Sequence, residues 1–171
     1  MIFKPRPSIG KISVFVVTSG FVCGSLLLTL LFWIYGFTTR DELIPGLIIL
    51  TPINAFVIIY GIYLLRVYPT IHYKVENGNL SINCGRYHWI IPIKTISSIV
   101  EKDLKYSPLA GTKLPGFALG DNYYSDVGIV RMCSTALVKR ILLIYTDQRI
   151  YGITPDKVGE FISALRKEGL T

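Results

Sequence analysis

The sequence predicts a membrane protein in two parts. A two-helix transmembrane hairpin comes first, and an α+β domain follows, with about seven antiparallel strands in a sandwich or open barrel plus a C-terminal helix. Three observations predict this. Residues 12–37 and 43–65 carry no Asp, Glu, Lys or Arg. Short β-rich segments, punctuated by Gly, Asn and Pro, fill most of the remainder. The chain then ends on a stretch with helical rather than strand periodicity.

Each charge-free stretch exceeds the ~18 apolar residues that cross a bilayer core of ~30 Å. The link between them, TTRDE, is short enough to force an antiparallel hairpin. A cleaved leader is disfavoured, because the first apolar run is too long and no small-x-small site follows it. Phe21 and Val22 precede Cys23 where a lipoprotein cysteine needs small neighbours. Lys4, Arg6 and Lys11 lie before the first stretch and Arg66 ends the second, whereas Arg40 in the link is offset by Asp41 and Glu42. The positive-inside rule therefore predicts a multi-pass protein of the cell membrane with both termini cytoplasmic. The predicted division is residues 1–66 for the N-terminal segment and hairpin, and 67–171 for a cytoplasmic domain. The whole chain carries a formal charge of +7. The excess within the domain is mild and scattered, which suits an anionic leaflet and argues against a nucleic-acid partner. The three cysteines, Cys23, Cys84 and Cys133, form no paired framework and fit a reducing cytoplasm.

Within the hairpin, Gly20 and Gly24 make a GxxxG face that Ser19 and Cys23 widen, where another helix can approach closely. Helix two of the same chain is one occupant, and self-association or a partner helix is the other. Pro52 is expected to kink helix two, and Asn54 needs a hydrogen-bond partner away from lipid. Neither stretch holds an acidic, basic or histidine residue, which argues against transport.

In the second part, IHYKVENGNLSI reads as a hairpin, because Asn77-Gly78 supplies the positive φ angles of a type I′ turn. NCGR is a second turn. YHWII and IKTISSIVEKDL read as strands separated at Pro92, and VGIVRMCS, VKRILLIYTD and QRIYGI as three more. Thr154 is expected to cap a helix opening at Pro155 and Asp156. Val158, Phe161, Ile162 and Leu165 share one face of it, Arg166 and Lys167 suit its C-terminal end, and Gly169 stops it.

Seven strands and a closing helix resemble the pleckstrin-homology (PH) pattern. IPIKTISSI at residues 91–99 and YGITPDKVGEFISAL at 151–165 are similar to stretches of bacterial PH-domain membrane proteins, as is GTKLPG in the long connection. The resemblance implies a PH-like fold behind a membrane hairpin. The phosphoinositide motif of some PH domains is not reproduced. Lys74 and Arg86 bracket the equivalent turn, but Glu76 interrupts it and no Lys/Arg-x-Arg follows.

Residues 111–126, GTKLPGFALGDNYYSD, read as a connection too long to be idle. Lys113 is its only base, and it holds no His, Glu or Cys for catalysis. Lys113, Leu114, Pro115, Gly116, Phe117, Leu119, Tyr123 and Tyr124 are instead the residues of a candidate interaction loop. It would contact another chain, contact the membrane-proximal end of its own hairpin, or plug the sandwich. Cys84 and His88 are too few to hold zinc. No phosphate loop, zinc-protease or nucleophile-elbow motif is present, so no catalytic, cofactor or metal residue is predicted. The expectation is a non-enzymatic, membrane-anchored scaffold or accessory subunit. Its partners would be membrane lipid and another membrane protein or further copies of itself. A module that recognises lipid headgroups is the alternative.

Overall fold

The computed structural model describes residues 1–34, 40–109 and 111–170, with only the backbone described at 32, 33 and 40–50. It divides into two compact units, Ile12–Arg66 and Met1–Lys11 with Val67–Thr171.

The first unit is helical. Helix α1 spans Gly10–Ile34 and α2 spans Arg40–Val67, running through Pro45 and Pro52. Two stretches are long and apolar enough to cross a membrane, Gly10–Leu31 within α1 and Thr51–Thr70, which runs from α2 into the turn after it. The predicted end of helix one, at 35–37, lies outside the described residues. Small residues do set the helix–helix approach, but at Gly61: a Cβ there would stand 2.5 Å from Thr18 Oγ1. The Ser25 hydroxyl donates to Asn54 Oδ1 at 2.9 Å, so Asn54 has the polar partner its setting requires.

The second unit contains ten strands among the described residues. One sheet runs β1-β2-β3-β4, from Ile2–Phe3, His72–Glu76, Asn79–Cys84 and Tyr87–Pro92. The other runs β5-β9-β10-β8-β7-β6, in which β5 is Ile96–Lys102, β6 Thr112–Leu114 and β7 Phe117–Tyr124. Its remaining strands are β8 (Gly128–Ser134), β9 (Ile141–Thr146) and β10 (Ile150–Ile153). The Asn77-Gly78 turn has φ angles of 53° and 71°, as a type I′ hairpin demands. Helix α3, Val158–Lys167, buries Phe161, Ala164 and Leu165. Phe161 stacks edge-on to Phe3 at 5.3 Å and to Tyr73 at 6.4 Å, so α3 closes over β1 and β2. Gly169, at φ 109°, ends it: Leu170 N–H bonds the Leu165 carbonyl and Gly169 N–H the Arg166 carbonyl, a Schellman pairing.

Four expectations are corrected. Residues 1–11 group with the β-rich unit and not with the hairpin, because Ile2 and Phe3 pair with Lys74 and Tyr73 of β2. Residues 112–124 are not a loop: Pro115 and Gly116 (φ 75°) form the tight turn of the β6–β7 hairpin. The sheets are not wholly antiparallel, since β10 runs parallel to β8 along its other edge. Thr154 does not cap α3, which starts from Lys157 without a side-chain cap.

Thr154 is spent in the core instead. Its Oγ1 accepts from Thr135 N–H at 2.9 Å, its N–H donates to Tyr73 Oη at 3.2 Å, and its carbonyl accepts from Arg6 N–H at 2.8 Å. Tyr73 Oη in turn donates to the Cys133 carbonyl at 2.7 Å, tying β2 of one sheet to β8 of the other. The Tyr73 ring is fully buried, and burial pushes its hydroxyl pKa well above the ordinary value, so it stays a neutral donor. Tyr73→Phe removes the hydroxyl's bonds to the Cys133 carbonyl and the Thr154 N–H from a buried site. It is expected to cost about 2 kcal/mol, measured by thermal melting of the full chain in detergent. An unchanged melting temperature would contradict the role given to this hydroxyl.

Candidate functional site

The residues singled out at 111–126 divide into an anchor and a surface. Phe117 and Tyr124 are fully buried and Leu119 nearly so, whereas Leu114 is half-buried and Pro115 exposed. The Tyr124 hydroxyl donates to the Leu137 carbonyl at 2.9 Å, and burial raises its pKa. Phe117 lies against Tyr68, with ring centroids 5.9 Å apart. The turn is equally fixed. Ser8 Oγ donates to the Gly116 carbonyl at 2.7 Å, and a Cβ on Gly10 would overlap that carbonyl. Only glycine at both positions permits this approach. Of the three readings of this stretch, the hairpin thus fills the interior with its apolar side and sets its turn on residues 8–10.

The exposed part is gathered by Lys113. Its Nζ donates to the carbonyls of Ser107, Leu109 and Tyr123, each at 2.7 Å. It also stands 5.1 Å from the Tyr124 ring centre and 5.8 Å from that of Tyr106. Three carbonyls and two ring faces replace the water shell of the ammonium. Burial draws its pKa below the usual lysine value.

The segment it holds is pinned at its other end too. Asp126 accepts Lys105 N–H at 3.0 Å and pairs with Lys102 Nζ at 2.8 Å. The Lys102 contact first, and the backbone bond second, hold this carboxyl below its ordinary range. Beside Lys113, Tyr106 (56%) and Leu109 (64%) stay exposed, and on the face of β7 opposite Tyr124, Tyr123 (37% exposed) lies across the ladder from Ile129 (65%). Sequence reasoning found Lys113 and Tyr123 but missed Tyr106, Leu109 and Ile129. Their signal was present only as apolar residues beside Ser-Pro and Gly turns.

The remaining predicted residues are distributed differently. Ser19 and Cys23 line a groove of about 350 Å³ shared with Ile58, Gly61 and Ile62 of α2. Among the described residues Gly20 and Gly24 do not meet helix two, since a Cβ at either finds nothing within 4 Å. The packing expected of α2 on that pair is made instead between Gly61 and Thr18. Lys74 pairs with Glu76, and Arg86 lies 5.9 Å from the Tyr87 ring, so each is engaged locally. Cys84 is buried while His88 is exposed, which separates them across the sheet.

Lys113→Met keeps the aliphatic stem and removes the three charged hydrogen bonds. It is expected to destabilise the domain by about 2 kcal/mol and to raise hydrogen exchange at residues 104–109 at least tenfold. Unchanged exchange there would show that the surface is held by something else.

The chain is 32% identical over 133 residues to an uncharacterised protein of Clostridium acetobutylicum, an overlap that covers 72% of this chain and 44% of the relative. It therefore spans less than half the length of that relative. No solved structure matches it. The bacterial PH domain family matches residues 71–169, which takes in β2 to β10 and α3 and leaves β1 outside the match. The paired sheets, the C-terminal helix and this match place the chain in the bacterial PH domain family.

Proposed function

We propose that the protein is a non-catalytic, membrane-anchored scaffold or accessory subunit that joins a membrane assembly through its helices and its PH-like domain. Its family fold is that of a binding module. In this reading the apolar hairpin crosses the membrane, with both ends cytoplasmic as the basic residues direct. The observation that carries the proposal is the open face at Gly20 and Gly24. The hairpin packs on itself at Gly61–Thr18 and Ser25–Asn54, and a Cβ at Gly20 or Gly24 would meet nothing within 4 Å among the described residues. Small faces of this kind admit a further helix at close range, from another copy or another protein. On the domain, the exposed Tyr106 and Leu109 on one side, and Tyr123 with Ile129 on another, supply aromatic and aliphatic contact area of the kind interfaces use.

Gentle extraction followed by native mass spectrometry of the intact assembly tests this. The expected mass exceeds one chain. Gly20→Ile with Gly24→Ile is expected to weaken association by about tenfold or more, equivalent to ~1.4 kcal/mol. A monomer mass for the native protein, or an assembly indifferent to both substitutions, would sink the helix-mediated reading.

A further inference from the structure

The N-terminal segment builds one wall of a basic groove that the proposed scaffold role does not use. The groove encloses about 370 Å³ and is lined by Lys4, Arg6 and Lys11 on one side and by Tyr68, Pro69 and His72 on the other. Its walls are fixed. Asp156 N–H bonds the Lys4 carbonyl at 3.0 Å, and Arg6 is clamped through its N–H to Thr154 at 2.8 Å and through its carbonyl to Thr135 Oγ1 at 2.6 Å. Ser8 Oγ and Tyr68 Oη lie 2.8 Å apart, bridging the two walls. Pro5, Pro7 and Pro69 restrict the backbone further.

The charges in the groove are poorly neutralised. Arg6 reaches Glu101 only at 3.8 Å. Lys4 is exposed, and Lys11 stands over the Tyr68 ring at 5.6 Å, with no carboxylate paired to either among the described residues. Lys11 is the second residue of α1, and Tyr68 directly follows α2. A groove carrying these two residues is therefore joined by the backbone to one end of each apolar helix. If those helices are in the bilayer, that end is at headgroup depth. Several cations and a tyrosine, held rigidly in one groove, match a phosphate-bearing headgroup.

We propose that this groove binds the headgroup of an anionic phospholipid from the leaflet the hairpin enters. The inference rests on the reading of the hairpin as membrane-inserted. It concerns a site made by residues 4–11 and 68–72, away from the β2–β3 turn where Lys74 is paired to Glu76. Such a lipid would fix the domain's orientation at the membrane.

The test uses the full chain. Resistance of the protein to alkaline carbonate extraction is read first. Release by carbonate would overturn both the membrane reading and this proposal, whereas retention isolates the groove for the next step. The chain is then placed in nanodiscs of phosphatidylcholine with or without phosphatidylglycerol, and the lipids it keeps on detergent transfer are measured by native mass spectrometry. The expected result is preferential retention of phosphatidylglycerol. It should fall at least fivefold in Lys4→Gln/Lys11→Gln/His72→Gln, stay near the native level in Lys4→Arg/Lys11→Arg, and be unaffected by Lys94→Gln/Lys139→Gln. Equal retention by the triple variant, its melting temperature being unchanged, would overturn the proposal. Displacement of the lipid by millimolar inorganic phosphate would overturn it too, by showing a general anion site. Should the triple variant fail to fold, Lys4→Gln alone, at an exposed side chain, is expected to lower retention measurably, and native retention in it would count against the site.

Discussion

The backbone of Arg6 is the point on which the rest of this structure depends. Its N–H reaches the Thr154 carbonyl, and its own carbonyl accepts the Thr135 hydroxyl. Thr154 is bonded to Tyr73, and Tyr73 to Cys133. Through this short relay one residue of the N-terminal segment reaches the end of β10, the end of β8 and the centre of β2. Every polar group in it is buried or nearly so, and each has a partner. That is the condition under which a polar cluster rigidifies a core rather than weakening it.

The relay has a topological consequence. Because β1 belongs to the first sheet, the chain leaves the PH-like domain at residues 8–10 and rejoins it at Val67 and Tyr68. The two connections meet through Ser8 and Tyr68, and the β6–β7 turn settles against them at Gly10 and Gly116. The apolar helices are thus an insertion between β1 and β2 of one domain, and not a preceding module joined by a single linker.

Much of this was legible in the sequence, and what was not has a physical reason. Asn77-Gly78 announces its turn, because few other pairs tolerate two positive φ angles. The α3 face is readable from Val158, Phe161, Ile162 and Leu165, although its start was misassigned because Thr154 satisfies the core in place of the helix end. Strand β7 was hidden by Gly120, which takes φ 76° within it, and by Asn122, whose buried amide bonds the Leu119 and Gly120 carbonyls. Two paired residues among Pro5 and Pro7 leave no periodicity from which to read β1. The parallel match of β10 to β8 is non-local and has no turn to signal it. The apolar surface around Lys113 shares that difficulty, because three carbonyls from separate positions converge only in the fold.

Residues 2–8 form an integral strand-and-clamp of the PH-like domain. Peptide-resolved hydrogen exchange on the intact chain in mild detergent tests it most directly. The informative amides are Arg6, bonded to Thr154, Asp156, bonded to Lys4, and Val75, bonded to Met1. Slow exchange is expected at all three, comparable with the β2–β3 ladder. Exchange of residues 2–8 at the rate of a free tail, with Val75 and Asp156 equally open, would contradict it.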